Sequence, residues 1–177
     1  MSEFQVASTE ALGSSTLAGI RALLDDAFEG DFSDADWAHT LGGHHAVLLE
    51  GRTVVAHGAL VPRTIWFAGR AWRAGYVEGV AVRADRRRTR LGATVMAELE
   101  HLITTRFQAG ALASTAMARP FYLARGWRQW LGPSYVRRPA GDDRTPDDDG
   151  SVFVWPGDLG VDLHGSIACD QRGGDLW

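Results

Sequence analysis

The chain has 177 residues, 45% of them apolar and 23% charged, which is the composition of a soluble globular domain with one sizeable core. No apolar run approaches the ~18 residues of a membrane span, and the first residues, MSEFQVASTE, lack the basic start and apolar stretch of a secretory signal. A single cysteine, Cys169, excludes an internal disulfide framework and a multi-cysteine zinc site, so a cytoplasmic protein is expected.

The net charge of −4 hides a pattern. All eighteen basic residues are Arg. Residues 1–82 carry five Arg against ten acids, residues 83–138 eleven against three, and residues 139–177 two against nine. A basic middle between acidic flanks suits a protein that handles a polyanion and a polycation together, with segregated solvated faces as the bland alternative.

In chain order, residues 4–8 read as a strand, and residues 15–28 as a helix with apolar residues at helical spacing and Ser14 or Ser15 as cap. Ser33 is expected to cap a short second helix that stops at Gly42-Gly43. Three strands follow at 45–50, 53–67 and 71–82, with hairpin-like turns between them. Residues 91–107 form a long amphipathic stretch with Leu91, Val95, Leu99, Leu102 and Ile103 on one side. A strand at 109–114, a helix at 117–125 and strands at 127–130, 151–155 and 161–169 complete the reading. Residues 139–150 (PAGDDRTPDDDG) read as a loop, because Pro, Gly and five Asp argue against regular structure. The expected fold is one mixed α/β domain over residues 1–177, with a largely antiparallel sheet flanked by helices.

The chemistry concentrates in GYVEGVAVRADRRRTRLGATVMAELE, residues 75–100. A strand feeds an Arg-rich loop and then a helix, whose first turn presents unpaired N–H groups and the positive end of the macrodipole. Arg86, Arg87, Arg88 and Arg90 add guanidinium groups, which are good phosphate ligands, and Gly92 permits close backbone approach. Glu78 lies within an apolar strand, where a carboxylate needs either a partner such as Arg or a task. His44 and His45 follow a glycine pair, and with no second ligand cluster a core or turn role is expected. Cys169 is expected to be buried and inert.

This region resembles the GCN5-related N-acetyltransferase (GNAT) superfamily. Arg87 matches the first position of that family's pyrophosphate loop and Gly92 the last, while Arg90 stands where a glycine is usual. FYLARGW (residues 121–127) resembles the segment whose Tyr protonates the departing coenzyme A thiolate, here Tyr122, although simple packing of Tyr122 is the alternative. GDFSDADWAHTLGG (30–43), GYVEGVAV (75–82), RTPDDDG (144–150) and CDQRGGDLW (169–177) are similar to the aminoglycoside 2′-N-acetyltransferases.

The resemblance implies the GNAT fold, acetyl-CoA as cofactor without metal, an aminoglycoside as substrate, and a homodimer. It implies no nucleic-acid or membrane partner. Carried onto matching positions, Val80, Ala81, Val82, Arg87, Arg88, Thr89, Arg90, Leu91 and Gly92 would bind acetyl-CoA. Asp31, Asp36, Glu78, Gly79, Asp148, Asp175 and Trp177, through its terminal carboxylate, would face the cationic sugar. Glu78 would act as base and Tyr122 as acid. Ala113 stands where some members carry Ser. Asp31 and Asp36 also suit capping or turn roles. An acetyltransferase acting on another amine, or an acyl-CoA sensor without turnover, shares the loop; the joint presence of Glu78 and Tyr122 favours an enzyme.

Overall fold

The computed structural model describes residues 2–177. The chain divides into two compact units, one built from the segment up to Val61 with Val77–Leu102, the other from Pro62–Tyr76 with Ile103–Trp177.

In the first unit, β1 (Ser2–Ser8) pairs antiparallel with β2 (His44–Glu50), and β2 pairs antiparallel with the first half of β3 (Thr53–Phe67). The C-terminal part of β4 (Arg70–Val82) lies beside β3. Helix α1 (Ser14–Ala27) buries Ile20, Leu23 and Leu24. These join Leu12, Phe32, Val47, Val54 and Ala81 in one apolar cluster. The expected serine cap is not used: Gly13 is the cap residue, without a side-chain bond, and its carbonyl accepts the N–H of Thr16 and Leu17. Ser14 therefore falls inside the helix.

Helix α2 (Asp34–His39) has the expected Ser33 cap, in a reciprocal capping box with Asp36. Helix α3 (Leu91–Arg106) starts in this unit and buries Val95, Met96 and Leu99 completely. Such burial contributes roughly 1.5–3 kcal/mol for each large apolar side chain. A Cβ on Gly58 of β3 would lie 2.8 Å from Val95 Cγ1 and 2.9 Å from Leu99 Cδ1, so the missing side chain sets how closely helix and sheet pack.

In the second unit the start of β4 runs parallel to β5 (Ala109–Ala113), which pairs antiparallel with β9 (Val152–Trp155) and through it with β6 (Arg128–Gln129). On the other side, the end of β3 pairs antiparallel with β10 (Ile167–Asp170). β10 runs parallel to β7 (Ser134–Arg138), which forms a hairpin with β8 (Gly141–Arg144). Helix α4 (Arg119–Ala124) is shorter than expected.

Two expectations fail here. Residues 139–150 are not simply a loop, since they hold β8 and a short 3₁₀ turn, Pro146–Asp148. Composition misled because the aspartates are neutralised from outside the segment: Arg137 bonds Asp142 at 2.8 Å and Arg138 bonds Asp143 at 2.7 Å along the β7–β8 hairpin. The expected strand 161–169 shortens to Ile167–Asp170, and β7 was not anticipated. Before β10 the chain instead caps the preceding segment, with the Leu163 carbonyl accepting from the N–H groups of Leu131 and Gly132.

Candidate active site

The candidate residues of the first unit follow one another along the chain. Glu78, Gly79 and Val80 are half-buried at the end of β4, and Ala81 is buried. Gly79 has φ +56, a left-handed conformation that breaks the extended repeat, and a Cβ there would meet Thr40 Cγ2 at 3.0 Å. Only glycine satisfies both constraints. Val82 leads into Arg83, whose N–H donates to the Val55 carbonyl at 2.9 Å, and the strand ends there.

The Arg-rich loop that follows divides into two sets. Arg83 and Arg86 are engaged: Arg83 Nε donates to Asp85 at 2.6 Å, and Arg86 Nη2 donates to Glu50 at 2.9 Å. The Arg86 guanidinium holds the Glu50 carboxyl below its usual range, and Arg83 does the same for Asp85. Arg87, Arg88, Thr89 and Arg90 are exposed, with Arg87 Nε in a long 3.4 Å bond to the Val82 carbonyl. The Thr89 hydroxyl donates to the Arg86 carbonyl.

Arg88 and Arg90 adopt φ +64 and +68. Left-handed backbone costs a side-chain-bearing residue roughly 1–2 kcal/mol, which is the physical reason a glycine suits the Arg90 position. Leu91 and Gly92 then open the sixteen-residue α3. Exposed guanidiniums grouped at the N-terminus of a long helix can take a pyrophosphate. Asp31 is exposed in the turn after α1, and its N–H donates to the Phe28 carbonyl at 2.9 Å. Asp36 is spent on the capping box, its Oδ2 accepting from both Ser33 N and Ser33 Oγ at 2.8 Å.

The second unit holds the other candidates. Tyr122 is 7% exposed among Trp127, Phe153 and Phe121, and burial pushes its hydroxyl up to about 12. It therefore stays protonated at neutral pH. Asp148 and Asp149 are adjacent but differently placed. Asp149 accepts from Arg144 at 2.8 Å and from both N–H and Oγ of Ser134 at 2.8 Å, which holds its carboxyl far below the usual range. Burial raises the Asp148 carboxyl, a hydrogen bond with Thr145 opposes the rise, and negative charge on Asp175, Asp147 and Asp149 adds to it. The structure thus brings Asp148 and Asp175 into one electrostatic neighbourhood, from positions 27 residues apart in sequence.

The tail that carries Asp175 is fixed. Trp177 is 6% exposed, with its indole N–H donating to Thr145 Oγ1 at 3.1 Å. Arg172 Nε donates to the Asp175 carbonyl at 2.7 Å, and the Cys169 thiol to the Leu176 carbonyl at 3.4 Å. Burial pushes that thiol up to about 11, so Cys169 is a structural hydrogen-bond donor and not a nucleophile.

Sequence reasoning missed Arg63 and Asp170, joined at 2.7 Å. Arg63 Nη2 also donates to the Asp170 carbonyl at 2.9 Å, and the guanidinium lies 4.7 Å from the Tyr76 ring centroid. The available signal was an arginine interrupting the apolar run of β3.

A mixed sheet whose strand β4 feeds an Arg-rich loop and a long helix places this chain among α/β proteins with a helix N-terminus suited to phosphate. The family model described as an acetyltransferase (GNAT) domain matches residues 9–130, and the chain belongs to that family of N-acetyltransferases. An acyl-CoA N-acyltransferase from Pseudomonas aeruginosa shares the fold, with a TM-score of 0.63 at 12% identity over 87% of this chain and 99% of its own. A protein from Enterococcus faecalis V583 gives a TM-score of 0.60 at 16% identity over 74% of this chain, which spans 33% of that longer protein. In sequence, the chain is 44% identical over 173 residues to an aminoglycoside 2′-N-acetyltransferase from Mycolicibacterium fortuitum, covering 96% of this chain and 89% of that one.

Proposed function

We propose that the protein transfers acetyl from acetyl-CoA to the 2′-amine of an aminoglycoside by direct attack of the amine, acting as one catalytic domain. The observation that carries the substrate choice is the Asp148–Asp175 pair beside a fixed C-terminal tail. A half-buried carboxylate already raised by burial and a second acid gains most from an ammonium partner. The 44% identity to an aminoglycoside 2′-N-acetyltransferase supports the same choice.

In this reading the guanidiniums of Arg87, Arg88 and Arg90, with the N–H groups of Leu91 and Gly92, hold the pyrophosphate of acetyl-CoA, which supplies the activated acetyl thioester. Glu78, directly or through water, takes the proton of the incoming ammonium. Backbone N–H groups of Val80–Val82 receive the negative charge that develops on the acetyl oxygen. Tyr122 donates its proton to the departing thiolate. Asp31, Asp148, Asp175 and the Trp177 carboxylate hold the remaining ammonium groups. Positioning of two bound substrates supplies much of the acceleration. Resemblance also supports a homodimer.

The test is thiol release from acetyl-CoA across aminoglycosides with and without a 2′-amine. Turnover confined to those with the amine is expected. Equal turnover of simple polyamines would reassign the substrate to another amine class, and binding of acetyl-CoA without turnover on any amine would make the protein a sensor.

A further inference from the structure

Two fully buried histidines lie inside the sheet of the first unit, His45 on β2 and His57 on β3. Buried imidazoles in an apolar sheet are costly unless each polar nitrogen is satisfied. Here they form a chain. His57 Nδ1 is 2.7 Å from the Gly79 carbonyl oxygen, His45 Nδ1 is 2.9 Å from His57 Nε2, and Thr9 Oγ1 is 2.8 Å from His45 Nε2.

The direction of every bond follows from its end. A carbonyl oxygen can only accept, so His57 Nδ1 carries the proton and its neutral ring leaves Nε2 as an acceptor. His45 Nδ1 must then donate, which leaves His45 Nε2 to accept the Thr9 hydroxyl. Thr9 Oγ1 in turn accepts the N–H of Gly42 at 3.0 Å. Burial, the largest cause, lowers His45 to about 4 and His57 to about 3, so both rings are neutral near pH 7 as the chain requires.

The accepting carbonyl belongs to the one β4 residue with left-handed backbone, Gly79, directly after Glu78. Its peptide plane carries the N–H of Val80. A hydrogen bond accepted by the carbonyl fixes that plane and polarises the N–H on its other side. We infer that His57, oriented by His45 and Thr9, is a positioning residue that aims and strengthens the Val80 N–H as a donor to the acetyl oxygen. This role rests on the acetyl-transfer reading above and adds three side chains to it.

The test combines spectroscopy with kinetics on the full chain. Histidine ¹⁵N chemical shifts at neutral pH should show the neutral Nδ1–H form for both His45 and His57; an Nε2–H tautomer or an imidazolium at His57 overturns the chain. His57→Leu should lower kcat about tenfold, below the ~100-fold cost of deleting an oxyanion donor, with the aminoglycoside KM nearly unchanged. His57→Asn, which places an amide N–H where Nδ1 stands, should recover most of kcat. Unchanged kcat in His57→Leu, or equal losses in Leu and Asn, overturns positioning. Where His57→Leu fails to fold, Thr9→Val breaks the far link at a half-buried site, and a folded protein with undiminished kcat overturns the proposal. Wild-type protein that turns over no amine rejects the acetyl-transfer reading and the positioning role with it, while the ¹⁵N spectrum still reports independently whether the chain exists.

Discussion

The Arg-rich loop and the acidic C-terminal segment are opposite in sign and alike in construction. In the loop, Arg83 and Arg86 are neutralised by Asp85 and Glu50, and Arg87, Arg88 and Arg90 remain exposed. In the C-terminal segment, Asp142, Asp143 and Asp149 are neutralised by Arg137, Arg138 and Arg144, while Asp148 bonds Thr145 and feels the charge of Asp175. A charge block in the sequence overstates the binding site, because the fold first spends charge on itself. What is left after internal pairing is what can meet a ligand.

Tyr122 sets the scale against which both charge sets are judged, since it is uncharged at neutral pH and belongs to neither. Tyr122→Phe should lower kcat by ~10- to 1,000-fold with circular dichroism unchanged. Full activity in that variant would leave water as the proton source.

The division into spent and available acids is broken most directly at Asp148 and the tail. Asp148→Asn, or deletion of Asp175–Trp177, should raise the aminoglycoside KM about tenfold or more, since a charge-assisted hydrogen bond contributes roughly 1.5–3 kcal/mol. Asp142→Asn should leave that KM unchanged, because Asp142 already serves Arg137. Equal effects at the two positions would mean that block charge, not the remainder, attracts the substrate.

The loop offers the mirror experiment. Arg87→Ala should weaken acetyl-CoA binding by about tenfold in calorimetry while aminoglycoside affinity holds. The reverse selectivity would place the two ligands on the wrong regions.

Acid should act through the buried histidines before the carboxylates. Their folded pKa values, about 4 and about 3, lie below the ~6.5 of an unfolded chain, so the unfolded state binds more protons between those limits. Stability from the neutral pair is fully present above about pH 6.5 and declines as pH falls toward 4. His44 adds to the lowering at His45, and Glu10 opposes it. Urea melts at pH 7.5 and 5 should separate in the wild type and converge in a His45→Asn/His57→Asn double variant.

The smallest effect sharpens the loop itself. Arg90→Gly removes a strained left-handed residue and should raise stability by roughly 1 kcal/mol, less the backbone freedom glycine gains on unfolding. The same change removes one exposed guanidinium, so acetyl-CoA should bind more weakly as the protein melts at higher temperature.

The sequence by itself determined the family, the β4-loop-α3 cradle and the Ser33 cap, because each depends on residues close together along the chain. Periodicity placed β3 at its observed bounds, Thr53–Phe67, and α3 within a residue. Tertiary structure decided what depends on partners distant in sequence. The Asp-rich 139–150 segment became a hairpin strand because Arg137 and Arg138 lay opposite, and Asp36 was committed to Ser33. The resemblance named Asp148 and not Asp149, and the structure supplied the physical difference, with burial raising the one and Arg144 holding the other. In the sequence His45 suited only a core or turn role and His57 carried no signal, and pairing of β2 with β3 beside β4 made them a directed chain ending on Gly79. Local pattern fixes which elements form, through propensity and spacing. Which charge stays available and which way a buried proton points are set by long-range contacts, since electrostatic and hydrogen-bond energies depend on distances that no linear spacing contains.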